Sequence, residues 1–158
     1  MTKTIYTIGH SNVTSERLLA LLEQHGITAV ADVRSRPYSR FNPQFNREAL
    51  ASALKTSGRE YLFLGQELGA RSEDRACYRA GRAQYALIAQ TPLFERGIER
   101  LLAEMENFRV AILCAEKEPL SCHRSILIAR YLHEKNISVR HILEDGSLKI
   151  TTPCCCAC

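Results

Sequence analysis

The chain of 158 residues lacks the features that would mark a membrane protein, a secreted protein or a disulfide scaffold. No apolar run approaches the roughly 20 residues that span a bilayer, and the first residues, MTKTIYTIGH, contain no apolar signal-peptide core. The seven cysteines are odd in number, which argues against a closed set of disulfides. These absences predict a cytoplasmic protein whose cysteines are thiols.

The composition that remains is that of one soluble domain. Apolar residues make up 46% of the chain and charged residues 24%, with a mild net charge of +4. We expect residues 1–150 to form a single domain. Residues 151–158 hold four of the seven cysteines and are expected to form a flexible Cys-rich tail, which could bind soft metals or be oxidised.

Short apolar runs alternate with segments of helical periodicity. We predict strands over 4–8, 27–33, 61–64, 109–113 and 137–142, and helices over 15–25, 46–56, 84–106 and 121–135, the third broken near Pro92. A turn is expected at Asp145 and Gly146. This alternation predicts an α/β fold: a single three-layer domain with a mostly parallel sheet of about five strands, Rossmann-like or flavodoxin-like. The segments 34–45 and 65–82 fit neither pattern.

The stretch from Val110 to Leu132 is the most informative part of the chain. A buried strand passes into a loop with ionisable and thiol side chains, and the loop leads into a helix. A helix start of this kind favours an anion and would stabilise a nearby thiolate.

In parallel sheets, ligands bind beyond the carboxyl ends of the strands, so the polar residues at those ends should lie together. The candidate catalytic residues are His10, Asp32, Glu116, Cys122 and His123. The candidate substrate-binding residues are Ser11, Arg34, Arg36, Cys114 and Arg124. These residue types suit acid–base chemistry and recognition of a phosphate or carboxylate, with His10 as acid or base and Asp32 orienting His10 or Arg34. The main interpretation includes no metal and no particular cofactor.

The combination of Gly9-His10-Ser11, Asp32-Val33-Arg34 with Pro37, Cys114-Ala115-Glu116 and Cys122-His123-Arg124 resembles a bacterial and archaeal family known as domain of unknown function number 488. The resemblance runs from about residue 5 to residue 146. It implies a compact α/β domain and the site residues above, but it carries no substrate or reaction. The Cys-rich tail lies outside the pattern.

These residues support an enzyme acting on an anionic substrate, namely a nucleotide, a nucleic acid or a phosphorylated metabolite. One alternative is a nucleic-acid-binding module without catalysis, in which Arg34, Arg36, Arg40 and an arginine stripe over 71–82 act with the aromatic residues Tyr38, Phe41 and Phe45. The same chain could also be a thiol redox protein built on Cys114 and Cys122, or hold a metal with His10, Cys114, Cys122 and His123. A cysteine-phosphatase cradle is disfavoured, because nine residues separate Cys114 from Arg124 rather than five.

Several candidates also have purely structural interpretations. Cys114 and Cys122 could be inert, because unpaired cysteines are often buried in cores. Asp32 and Arg34 could form an ion pair that only fixes the loop. His141, in the last predicted strand, is expected to be a hydrogen-bonded core histidine.

Overall fold

Strands and helices alternate along most of the chain, as the apolar pattern predicts. The strands are β1 (Thr4–Gly9), β2 (Ala29–Asp32), β3 (Glu60–Phe63), β4 (Tyr78–Arg79), β5 (Arg82–Ala83), β6 (Val110–Cys114), β7 (Ser138–Ile142) and β8 (Leu148–Ile150). The helices are α1 (Ser15–Gln24), α2 (Arg47–Thr56), α3 (Gly65–Leu68), α4 (Pro92–Met105) and α5 (His123–Glu134), with a 3-10 turn at Pro43–Phe45. The exceptions to the alternation are β4, which is followed by β5, and β7, which is followed by β8.

This computed structural model describes residues 3–11, 13–34, 37–68, 78–79, 82–83, 91–114 and 123–150. At 78–79, 82–83 and 123–127 the description covers the backbone only. The predicted Cys-rich tail and most of the segment 65–82 therefore lie outside the described residues. None of the described helices combines the length and the apolar character that a membrane crossing needs.

The main sheet has six strands in the order β3-β2-β6-β1-β7-β8. Five of them are parallel, and β8 runs antiparallel to β7 at the edge. The α/β fold class is confirmed, with one strand more than the five predicted. The extra strand, β8, has only three residues and all of them are exposed, so it lacks the apolar run that indicates a buried strand.

Helices cover the two faces of the sheet in pairs. Helices α1 and α2 pack on one face and α4 and α5 on the other, which we call the α1/α2 face and the α4/α5 face. The residues of the α1/α2 face include Tyr6, Ile8, Val30, Leu113, Leu18, Leu22, Leu50 and Leu54. Those of the α4/α5 face include Ile5, Ala31, Ile112, Val139, Phe94, Leu101, Ile128 and Leu132.

The position of β6 fixes where a site can form. It lies between β2 and β1, and the chain leaves it toward α5, whereas it leaves β1 and β2 toward α1 and α2. Neighbouring strands whose connections depart to opposite faces open a crevice at their carboxyl ends, and such crevices are the usual ligand sites of parallel sheets. By this rule, a ligand site is expected at the carboxyl ends of β1, β6 and β2.

The helix ends follow local sequence signals. Thr14 caps α1 by accepting a hydrogen bond from the backbone N–H of Arg17, and Gly26, with φ of +67°, ends that helix. Thr91 caps α4, and Pro92 occupies its first turn, so the break expected near Pro92 is the start of the helix. The turn predicted at Asp145 and Gly146 is present between β7 and β8.

Candidate functional site

Three predicted site residues, His10, Asp32 and Arg34, lie together at the carboxyl ends of β1 and β2. All three side chains are buried. Asp32 lies two residues after Val30, so it lies on the α1/α2 face of the sheet. The backbone N–H of His10 donates to the carbonyl of Cys114 at 3.0 Å, which joins the end of β1 to the end of β6.

The Asp32 carboxylate accepts four hydrogen bonds. Oδ1 accepts from the backbone N–H of Arg34 at 3.1 Å and from its Nε at 2.8 Å. Oδ2 accepts from Arg34 Nη2 at 2.8 Å and from the Tyr61 hydroxyl at 2.6 Å. These bonds occupy the acceptor capacity of a carboxylate, so Asp32 is suited to hold Arg34 in place. The ion pair considered from the sequence is therefore present.

The two ring nitrogens of His10 have different partners. Nδ1 lies 2.9 Å from the carbonyl oxygen of Ser11, and because a carbonyl only accepts, Nδ1 carries the proton. Nε2 then has a lone pair, which accepts from Arg34 Nη1 at 3.2 Å. The imidazole is neutral in this arrangement, and the ring packs on Phe45 with 4.7 Å between centroids.

Ser11 occupies an uncommon backbone conformation. Its φ of +44° lies in the left-handed region, which few residues other than glycine adopt. This turn directs the Ser11 carbonyl toward the His10 ring. Backbone strain of this kind concentrates at functional sites.

Tyr61 also belongs to the cluster, although it was not among the predicted site residues. It lies in β3 and pairs with Val30 of β2, which brings its hydroxyl to Asp32 on the same face. Burial, and after it the hydrogen bond to Asp32, raises the pKa of Tyr61 far above its ordinary value. The only feature of the sequence that could have identified Tyr61 is its hydroxyl, which is unusual within an otherwise apolar predicted strand.

The backbone of Gly65 packs closely against the backbone of Arg34. A Cβ atom on Gly65, at the start of α3, would lie 2.0 Å from the Arg34 carbonyl oxygen. No other residue type fits there without moving the Arg34 backbone. The close packing of Arg34 against α3 therefore requires a glycine at position 65.

Cys114 lies at the same edge but on the opposite face. It follows Ile112 by two residues, which places it on the α4/α5 face with Thr7 and His141. The Cys114 side chain is buried there. His141 is a buried core histidine, as predicted, with Nδ1 2.5 Å from the Thr7 hydroxyl. The sheet thus separates Cys114 from Asp32.

The remaining predicted site residues are described in part or not at all. His123 and Arg124 are the first two residues of α5, but their side chains lie outside the description. Arg36, Glu116 and Cys122 also lie outside the described residues. Among the side chains that are described, no group of three His, Cys, Asp or Glu residues could hold a metal ion.

A family model described as Domain of unknown function DUF488 matches residues 14–132 of the chain. The chain belongs to this family. The match includes Asp32, Arg34, Tyr61 and the start of α5, and it begins after His10. The comparisons with curated proteins and with solved structures gave no significant match.

Proposed function

We propose that this protein is a small cytoplasmic enzyme that binds an anionic substrate at the carboxyl edge of its sheet, with Arg34 as the recognition residue. The substrate class is a nucleotide, a nucleic acid or a phosphorylated metabolite. The observation that carries the proposal is that the Arg34 guanidinium has more N–H donors than the described residues accept from.

A guanidinium has five N–H bonds. Nε and Nη2 each donate one to Asp32, and Nη1 donates one to His10. One N–H bond on each terminal nitrogen therefore has no partner among the described residues. The Arg34 side chain is only 5% exposed. Because unsatisfied buried donors are costly, two such donors on one rigid plane are suited to the paired oxygens of a phosphate or carboxylate.

The surrounding elements favour an anion at the same edge. Helix α5 begins after β6, so its first backbone N–H groups and the positive end of its dipole lie at the carboxyl edge of the sheet. Its first two residues are His123 and Arg124. The end of β6, where the chain departs to the opposite face from β1 and β2, is the position at which ligands of parallel sheets usually bind.

The enzyme hypothesis rests on ionisable groups at one edge. His10 is the described candidate for proton transfer, because its neutral ring could exchange the Arg34 contact for a substrate. Asp32 acts as a positioning residue, since its oxygens already bind Arg34 and Tyr61. Glu116, Cys122 and His123 stay predictions for catalysis, and Ser11, Arg36 and Arg124 stay predictions for substrate binding. Cys114 is not included in the proposed site, because its buried side chain lies on the opposite face of the sheet from Asp32.

The test is a thermal unfolding screen of wild-type protein with phosphate, sulfate, nucleotides and short oligonucleotides. A ligand at 100 times its dissociation constant should stabilise the folded state by about 2.7 kcal/mol. Arg34→Lys keeps the charge and loses the forked geometry, so the ligand-induced shift should fall strongly. The matched control is Arg59→Lys, because Arg59 binds the Ile27 carbonyl at the opposite edge of the sheet. An equal shift in wild type and Arg34→Lys would refute the assignment.

A further inference from the structure

The loop before α2 exposes an aromatic side chain. Phe41 is 90% exposed, the most of any large hydrophobic residue among the described side chains. Tyr38, three residues earlier, is also exposed. A single exposed aromatic residue would need no explanation, but these two share one short loop with the exposed Arg40.

The loop is held in place by side-chain hydrogen bonds. The Ser39 hydroxyl accepts from the backbone N–H of Phe41 at 3.1 Å and from that of Asn42 at 3.2 Å. The Ser39 N–H donates to Asn46 Oδ1 at 2.7 Å, and the Tyr38 hydroxyl donates to Glu48 at 2.9 Å. These hydrogen bonds restrain the backbone that carries Phe41, which lowers the cost of ordering the loop when a ligand binds.

The charge around the loop is positive. Between positions 34 and 48 the sequence has four arginines and one glutamate, and Arg40 and Arg47 are exposed. Arg47 also lies over the Phe63 ring, 4.1 Å from its centroid. A segment that exposes both an aromatic ring and cations complements a ligand that combines a flat apolar surface with negative charge.

The loop is continuous with the Arg34 cluster. The loop comprises residues 37–46 and starts three residues after Arg34. The last aromatic residue of the loop, Phe45, is buried against His10. The nucleic-acid-binding alternative used Phe45 as a stacking residue; this part of the prediction is wrong, because the ring is buried in the core. Phe41 lies four residues before Phe45, so the exposed ring and the buried cluster belong to one short segment.

We infer that Phe41 is a stacking platform for an unpaired base of single-stranded nucleic acid, whose phosphates bind Arg40 and the Arg34 site. This inference rests on the proposed function and specifies its substrate class. Single strands offer both the free base face and the phosphate charge, whereas in a duplex the base faces are covered.

The experiment is fluorescence anisotropy with a labelled single-stranded DNA or RNA of about 12 nucleotides, a length within the range that single-strand-binding domains cover. Phe41→Ala should weaken binding about 5-fold or more, and Phe41→Trp should keep it, because stacking needs only an aromatic face. Ile150→Ala, an exposed apolar residue on the edge strand β8, is the matched control and should bind as wild type. Arg40→Gln should lower the salt dependence by about one phosphate contact.

The outcomes separate this inference from the proposed function. Equal binding by Phe41→Ala and wild type, or equal binding of single strand and duplex, overturns the stacking role. A phosphate-induced thermal shift that depends on Arg34 leaves the anion site standing in either case. If wild type binds neither oligonucleotide nor anion, both proposals fail. A dimer in sedimentation that Phe41→Ala abolishes would assign the ring to a second copy of the chain instead.

Discussion

Two ion pairs in this protein join similar groups in opposite surroundings. Asp32 and Arg34 are 0% and 5% exposed and lie inside a cluster with His10 and Tyr61. Lys3 and Glu106 are 49% and 61% exposed. Water screens the Lys3–Glu106 pair and already solvates both of its charges, so this ion pair contributes little to the free energy of unfolding. The first pair has lost that solvation, and the protein must supply every compensating contact.

The comparison indicates why the buried pair is a candidate site. Burying two charges for stability alone is inefficient, because apolar residues of similar volume often serve as well. Here the protein surrounds the pair with a neutral histidine, a tyrosine hydroxyl and a strained Ser11 backbone. The result is a rigid guanidinium with two N–H bonds that the described residues do not use.

The largest expected effect comes from breaking the buried pair. Asp32→Leu or Arg34→Met alone should lower the free energy of unfolding by about 3–5 kcal/mol, because each leaves an unpaired buried charge. The double variant should lose less free energy of unfolding than the two single variants lose together. Urea unfolding of all four proteins gives the coupling energy. Additive losses would show that the two charges do not depend on each other.

A smaller effect is expected from Tyr61→Phe, which removes one hydrogen bond to a buried carboxylate. The loss should be about 1.5–3 kcal/mol at neutral pH. Tyr38→Phe is the matched control, because the Tyr38 hydroxyl also donates to a carboxylate but at an exposed position. Its effect should be much smaller.

The Tyr61 effect should also depend on pH. The folded state raises the pKa of Tyr61 above its ordinary value of 10.0, so the neutral phenol is retained after the unfolded chain has lost the proton. Its stabilising contribution is complete below about pH 10 and declines above it. The stability difference between wild type and Tyr61→Phe should therefore shrink as pH rises past 10. A difference that stays constant would contradict the assigned pKa direction.

The smallest effect is expected at the exposed pair. Lys3→Gln should change the free energy of unfolding by about 1 kcal/mol or less, and added salt should erase the difference. Chemical denaturation at low and high salt measures both quantities. A loss comparable to that of Asp32→Leu would mean that exposure does not separate the two pairs.

The residues that lie at the carboxyl ends of the strands could be predicted from the sequence. Parallel strands leave their carboxyl ends at one edge, so His10, Asp32 and Arg34 could be placed together from the alternation of strands and helices. The contact of Tyr61 with Asp32 depends on the β2–β3 register, which single-strand patterns do not contain.

Some features required the tertiary structure. The β2–β6 register pairs Asp32 with Leu113, and this pairing places Cys114, the next residue, on the opposite face from Asp32. Phe45 resembles its loop neighbour Phe41 in sequence, and only packing against His10 distinguishes the buried ring from the exposed one. The edge strand β8 is too short and too exposed to show an apolar period.

The most direct test of the central claim is an NMR titration that follows the Arg34 side-chain N–H resonances as inorganic phosphate is added. We expect the Nη protons of Arg34 to shift in a saturable way, and those of Arg59 at the opposite edge to stay unchanged. Saturable phosphate binding elsewhere with the Arg34 resonances unchanged would contradict it. In that case, the buried pair with Asp32 would be a structural element only.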